Sequence, residues 1–317
     1  MAIHHISLFK RSDGHRGGVE KFAAHLKLAF PDLNIWALSD FPQSSGGDDW
    51  IKAKALNSWL WQTGKIQSGD IVIADGFWGA GLVGKDVKLV SVCHGSYVGT
   101  AAQNEIYPWF DTGLLLRWAA AQKGIYDQAA LVVSVSKQAA RELSVLYGLE
   151  SKVILNGVDG SIYGPLKGQE VSDLVLHVAS PGRKQEEMVS RVAQTLPKGV
   201  SVQYLNVSGT QEQEAARWRQ GSVFFQPSLY EGLSYASLEA AACGLPVVAY
   251  RTGLWADTPS GFGGVGEIVD DHDPLVYRRA IMRVLRNRDE YKPRQWVMKH
   301  APISRFISQW QKLAQGL

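Results

Sequence analysis

The stretch Ser228–Ala249, SLYEGLSYASLEAAACGLPVVA, constrains the chain most. An apolar, β-like run, Ser222–Gln226, leads into it, and another, Pro246–Tyr250, closes it. Between them the residues predict a turn over Tyr230–Gly232 and a helix from about Ser234 to Cys243, stopped by Gly244 and Pro246. In an open α/β sheet, ligands bind beyond the carboxyl ends of the strands. Glu231 falls in the turn at such an end, and Glu239, eight positions on, falls inside the helix. The helix N-terminus, with Gly232, Leu233 and Ser234 leading in, offers unpaired N–H groups and partial positive charge that suit a diphosphate. A carboxylate beside an anion site repels the anion, so Glu231 and Glu239 are better suited to accept hydrogen bonds from sugar or ribose hydroxyls. The plain alternative is an ordinary βαβ unit with two solvated glutamates.

The rest of the chain predicts the same alternation. Strands are expected at His4–Phe9, Asn34–Ser39, Asp70–Ala74, Lys88–Cys93, Leu131–Ser136 and Val153–Leu155 in the first half. In the second half they are expected at Leu174–Ala179, Ser201–Val207, Ser222–Gln226, Pro246–Tyr250 and Gly266–Val269. Several are continuously apolar, as strands of a parallel sheet covered on both faces are. Helices fall between them. Gly18–Phe30 carries Val19, Phe22, Ala23, Leu26 and Phe30 at spacings of three and four. Ile106–Gln128 reads as one long helical stretch whose apolar residues, Trp109, Phe110, Leu114, Leu115 and Trp118, exceed a narrow stripe. Core packing accounts for them; acceptor binding or shallow membrane contact is the sharper alternative. This βα alternation implies two doubly wound domains.

Two further loops carry polar chemistry. After the first strand, KRSDGHRGG ends in Gly17–Gly18, where a ligand can approach the backbone closely, and Lys10, Arg11, His15 and Arg16 make it basic. After Leu174–Ala179, SPGRKQEE brings Arg183 and Lys184 to a helix start. Arginine forks onto phosphate oxygens and lysine supplies a compact charge, so this loop is a prospective diphosphate clamp.

Here the chain resembles the retaining glycosyltransferases of family 4, which have the GT-B fold. The resemblance rests on Glu-x7-Glu (Glu231, Glu239) with EG after the strand, LEA in the helix and GLPVV beyond it. GGVE after the first strand, CHGS at Cys93–Ser96, and Asn156–Asp159, which matches the family's Asn-Gly-Val-Asp, extend it across both halves. The family's Gly-Arg…Lys-Gly pattern is only partly kept: Lys184 matches, Gln185 replaces the glycine, and the arginine position falls near Ala179–Ser180 in a shorter loop, leaving Arg183 as a shifted substitute. The resemblance implies two Rossmann-like domains facing a central cleft. Residues 1–165 would form an acceptor domain and 166–300 a nucleotide-sugar domain, with 301–317 a helix crossing back to the first.

It further implies transfer of a sugar from a nucleotide-diphosphate sugar to an acceptor hydroxyl, with retention of anomeric configuration. The catalytic set would be His94, Arg183, Lys184 and Glu231, with Lys184 and Arg183 at the diphosphate, Glu231 at the sugar hydroxyls and His94 near the anomeric centre. Gly17, Gly18, Gly232, Leu233, Ser234 and Glu239 would bind the donor, Glu239 at its ribose, and Arg16 and Trp109 the acceptor. A UDP-sugar is the expected donor and a GDP-sugar the alternative. No cofactor and no metal are expected, because the cations serve the leaving group.

The acceptor is expected to be a saccharide or a lipid-linked one. Arg–Trp neighbours at Arg117-Trp118, Arg217–Arg219 and Arg294–Trp296, among 11 tryptophans, keep a nucleic-acid acceptor such as a hydroxymethylated base as an alternative. A net charge of +3 is too small to argue for nucleic acid by itself. A glycoside hydrolase using the two glutamates and a non-catalytic nucleotide-binding module are the remaining readings. Cys93 and Cys243 show neither disulfide nor metal spacing, and MAIHHISLF lacks a signal peptide's basic lead, so a reducing cytoplasm is expected. No apolar run reaches membrane-spanning length.

Overall fold

A computed structural model describes residues 1–10, 17–42, 47–106, 108, 110–165, 173–179, 184–205 and 209–317. The chain divides into two compact units, Met1–Leu155 with Ser304–Leu317, and Asn156–Ile303.

The first unit opens with β1 (Ile3–Ser7), α1 (Gly18–Ala29), β2 (Asn34–Ala37) and α2 (Asp49–Gln62). It continues through β3 (Ile71–Asp75), β4 (Lys88–Cys93), α3 (Tyr97–Ile106), α4 (Thr112–Tyr126), β5 (Leu131–Ser134), α5 (Lys137–Glu142) and β6 (Lys152–Val153). The strands form one parallel sheet in the order β2-β1-β3-β4-β5-β6. All five residues of β3 are buried, as its unbroken apolar run requires of a strand covered on both faces.

The helix expected over Ile106–Gln128 is α4 and starts later, at Thr112, with a separate helix, α3, ending at Ile106 before it. Asn104 Nδ2 donates to the Phe110 carbonyl (2.8 Å) and Thr112 Oγ1 (2.7 Å), and the Phe110 N–H donates back to Asn104 Oδ1 (3.0 Å). Asp111 then caps α4, its carboxylate accepting the Leu114 N–H at 2.7 Å. These local bonds satisfy the backbone at the break and outcompete continuation of the helix. Within α4, Leu115 is buried and Trp118 packs edge-on to Tyr97 and against Phe110. Both therefore belong to the interior, while Leu116 remains exposed.

The second unit runs β7 (Leu174–Val178), α6 (Glu186–Thr195), β8 (Ser201–Leu205), α7 (Gln211–Trp218), β9 (Val223–Gln226) and α8 (Tyr235–Ala242). It ends with β10 (Val247–Tyr250), β11 (Gly266–Val269), α9 (Pro274–Arg286) and α10 (Pro293–His300). Its sheet is parallel, in the order β11-β10-β9-β7-β8. Successive strand residues feed opposite faces. Leu176, Phe224, Val247 and Ala249 join Trp218, Leu238 and Trp255 on one side. Val175, Phe225 and Val248 join Val189, Tyr277 and Ile281 on the other.

The changeover between units falls ten residues before the expected 165/166 boundary, and the return falls at Ile303/Ser304. The cause is the bonding of 156–165 to the second unit. The Val158 N–H donates to the Ala301 carbonyl, and the Ile303 N–H to the Val158 carbonyl, both at 3.0 Å. Arg294 holds the carbonyls of Tyr163 and Gly160 at 2.8 and 3.0 Å. The last helix, α11 (Ile303–Gln315), belongs almost wholly to the first unit. Its buried Phe306 and Trp310 meet Phe22 of α1 at ring separations of 5.7 Å each, and Gln311 donates to the Ala29 carbonyl at 3.0 Å. Full burial of side chains of this size contributes about 1.5–3 kcal/mol each.

In each unit the first strand is flanked by the second on one side and the third on the other. The chain therefore reverses its direction of travel across the sheet at β1/β3 and again at β7/β9. The carboxyl ends at such reversals form the crevice where open α/β sheets bind ligands.

Candidate functional site

In the second unit the loop after β7 delivers Lys184 and the turn after β9 delivers Glu231, so both reach the reversal of the sheet. There Lys184 Nζ pairs directly with Glu231 Oε1, and both side chains are buried. Glu231 is braced from behind by the loop after β10. Its N–H donates to Thr252 Oγ1 at 3.2 Å. Gly253 adopts φ +59°, and a Cβ there would stand 2.6 Å from the Glu231 carbonyl oxygen, so this approach requires glycine.

Gln185, next to the lysine, has φ +61° and is the one non-glycine residue with positive φ among those described. Left-handed backbone costs an L-residue roughly 1–2 kcal/mol. That accounts for the family's glycine at this place and marks Gln185 as a strained substitute. Its buried Nε2 lacks a hydrogen-bond partner among the described residues, as do Nε2 of Gln226, which ends β9, and Oγ of Ser228, two residues beyond it. Buried polar groups are otherwise almost always paired. Several unpaired ones at a single sheet edge suit a ligand rich in hydrogen-bonding atoms.

Ser234 caps α8, its hydroxyl accepting the Ser237 N–H at 3.3 Å, and Gly232 and Leu233 form the turn before it. Glu239 lies one turn into α8, 2% exposed, and its Oε2 accepts the Trp218 indole N–H at 3.4 Å. Tyr163, donating to Glu214 at 2.9 Å, is its other neighbour. Burial first, then the charges of Glu239 and Glu214, push that phenol far above its ordinary range. His177, in β7, donates from Nδ1 to the Phe225 carbonyl (3.0 Å). Burial pushes it down to about 4, with the Lys184 charge acting in the same direction.

In the first unit, His94 follows β4, and its Nε2 bonds Asp75 Oδ1 at 2.8 Å. Asp75 ends β3, and His5 Nε2 of β1 lies 3.2 Å from its other oxygen. Burial alone would raise the Asp75 carboxyl pKa, but the charges and hydrogen bonds of His5 and His94 outweigh it and hold the group far below the usual carboxylate range. Phe22 meets the His94 ring edge-on at 4.8 Å. With Nε2 committed to Asp75, Nδ1 is the nitrogen that remains for a ligand. Asp75 escaped the sequence reading. The available signal was a carboxylate directly after the apolar run Ile71–Ala74, at the carboxyl end of an expected strand.

Gly17 and Gly18 start α1 as expected, but that helix end is partly occupied. Glu20 accepts the Gly17 N–H at 2.6 Å and is itself buried. Arg16, Trp109 and Arg183 lie outside the described residues. Two of the three Arg–Trp clusters that suggested nucleic acid have roles in the fold, while Arg117 of the third is exposed and pairs with Asp48. Trp218 is buried against Glu239, and Arg219 binds the carbonyls of Gly164 and Ile162. Trp296 stacks on His300, and Arg294 is tied to backbone carbonyls. Among the described residues, no three His, Cys, Asp or Glu side chains gather as a metal cage. No described helix is long and apolar enough to cross a membrane.

Two parallel-sheet α/β units of this kind make the GT-B fold. The sucrose-phosphate synthase of Thermosynechococcus elongatus superposes with a TM-score of 0.77 at 16% identity, over 99% of this chain and 98% of that one. Anabaena HepE, solved with UDP and glucose, superposes at 0.74 and 16% identity over the whole of both chains. A family model described as Glycosyltransferase Family 4 matches residues 43–161, and one described as Glycosyl transferases group 1 matches 162–287. The chain belongs with the family 4-like glycosyltransferases. A D-inositol 3-phosphate glycosyltransferase of Corynebacterium jeikeium is 34% identical over 100 residues, a stretch covering 32% of this chain and 23% of that relative.

Proposed function

We propose that the chain transfers a sugar from a nucleotide-diphosphate sugar to an acceptor hydroxyl, retaining anomeric configuration. The observation that carries this reading is the meeting of Lys184 and Glu231 at the β7/β9 reversal. One cation and one hydrogen-bond acceptor for hydroxyls stand where a sugar diphosphate needs both. The likeness of fold to HepE, solved with UDP and glucose, favours UDP as the nucleotide, with GDP as the alternative. A saccharide or lipid-linked acceptor is favoured over a base in DNA, because Trp218 is buried against Glu239 and Arg294 is tied to backbone carbonyls, which leaves neither to stack on or grip a nucleic acid.

In this reading the bond between the anomeric carbon and the diphosphate oxygen breaks as the carbon becomes oxocarbenium-like. Lys184, with Arg183, offsets the charge growing on the leaving oxygen, which is the largest electrostatic help available to the step. Glu231 accepts hydrogen bonds from the sugar hydroxyls and Glu239 from the ribose. His94, oriented by Asp75, stabilises the sugar near the anomeric centre through Nδ1. The acceptor oxygen attacks on the face the diphosphate leaves, its proton passing to a diphosphate oxygen, so the configuration is kept. Neither a metal ion nor a cofactor is assigned a part.

A panel of UDP- and GDP-sugars tests the reading, first by thermal shift and then by release of nucleotide with and without saccharide acceptors. One donor should raise the melting temperature and release its nucleotide faster with acceptor present. Binding without turnover on any acceptor would point to a nucleotide-binding module, and no shift with any donor would overturn the assignment.

A further inference from the structure

The second unit carries another polar concavity at the opposite edge of its sheet. Ser222 and Pro246, the residues just before β9 and β10, line a cavity of about 520 Å³. Lys184 and Glu231 follow the other ends of strands in the same sheet, at least one strand length away, roughly 13 Å for four residues. Four cations, Arg219, Arg286, Arg288 and Lys292, face this hollow together with a single carboxylate, Asp289.

Three of these cations donate hydrogen bonds to neutral groups. Arg219 donates to the carbonyls of Gly164 (2.6 Å) and Ile162 (2.7 Å). Arg288 donates to the Ser222 hydroxyl, and Lys292 to the Asp289 carbonyl, each at 2.6 Å. Carbonyls and a hydroxyl orient a guanidinium or an ammonium without neutralising it. Asp173, just before β7, pairs with Arg288 at 4.0 Å and is half exposed. Arg286 ends α9, where the helix dipole favours a cation, and no described residue partners it. The dipole accounts for Arg286 alone. It does not explain why three other cations converge on the same concavity, where their mutual repulsion is costly unless an anion offsets it.

We propose that this hollow binds a phosphate-bearing anion, separately from the transfer site. Planar guanidinium groups match phosphate oxygens in pairs, and the surplus of three positive charges fits a di- or triphosphate or a phosphate headgroup. The volume lies within the range of small-molecule sites, with room for an organic group beyond the phosphate.

The test reads binding rather than turnover. Inorganic tripolyphosphate is titrated calorimetrically into the full chain carrying Lys184→Ala, which removes the clamp at the other edge. Binding should persist, and adding Arg286→Glu should weaken it by about tenfold or more. Arg286 is exposed and has no partner among the described residues, so this variant keeps the fold. Arg286→Gln should give a smaller loss in the same direction. Vesicles containing phosphatidic acid form a second arm: sedimentation that depends on Arg286 identifies a lipid phosphate as the source, and binding of tripolyphosphate alone identifies a soluble one. No binding by the Lys184→Ala protein in either arm, or binding that ignores Arg286, overturns the proposal.

Discussion

Replacing Glu231 by glutamine should tighten the binding of UDP while lowering sugar transfer. A diphosphate entering at the β7/β9 reversal competes with Glu231 for the Lys184 ammonium, because the two are already paired and buried. Two unit charges about 4 Å apart attract by ~4 kcal/mol at an effective dielectric constant near 20. Desolvation and relaxation absorb part of this, leaving about 1.5–3 kcal/mol that a phosphate must displace. Glutamine keeps the shape and loses the charge, so UDP affinity should rise roughly ten- to a hundredfold. The cost appears in the protein without nucleotide: a buried ammonium that loses the charge of Glu231 should lower stability by up to about 3–5 kcal/mol. Calorimetric titration of UDP and thermal unfolding of both proteins measure the two sides. In a Lys184→Ala background the same substitution should leave UDP affinity nearly unchanged, which isolates the pair from general loss of negative charge. An affinity for UDP that is equal or weaker in Glu231→Gln would show that the diphosphate does not recruit Lys184.

Further expectations follow from the same residues. Lys184→Ala should reduce turnover about a hundred- to a thousandfold with the fold intact, as judged by circular dichroism; a rate within threefold of the parent would remove the lysine from the clamp. Asp75→Asn should alter the His94 ring tautomer, read by ring-nitrogen NMR without any substrate, and lower transfer. It should also flatten the acid limb of stability. The folded pKa of Asp75 is depressed, so its stabilising contribution is complete above about pH 4 and lost as pH falls below that value. His177 behaves in the opposite manner. Its folded pKa near 4 lies below an unfolded value of about 6.5, so the unfolded chain takes up the proton first. Stability should therefore fall by up to about 3 kcal/mol between pH 6.5 and 4, and His177→Gln should remove that slope in pH-dependent unfolding.

Much of the second unit was legible from residue pattern alone. Strand, turn, helix and strand over Ser222–Tyr250 are where their periodicity and the Gly244/Pro246 stop place them, because those signals are local. The start of α4 differs from the expected Ile106 because apolar residues continue upstream of it, whereas side-chain bonding by Asn104 and the Asp111 cap, which periodicity does not register, set it at Thr112. The domain boundary was placed late because Gly, Pro and Lys mark where a chain can bend. The bonds of Val158 and Tyr163, made to residues more than a hundred positions away, decide which unit the segment joins.

The amino-acid order alone determined the alternation of strands and helices and the presence of glutamates and a lysine near turns, since each depends on residues within a few positions. It could not decide the strand order. Only the folded sheet brings β7 beside β9, and with them Lys184 onto Glu231, 47 positions apart. Likewise only the pairing of β3 with β4 sets Asp75 behind His94. Contacts of this kind depend on which strands become neighbours, and that choice is made by burial of both sheet faces at once.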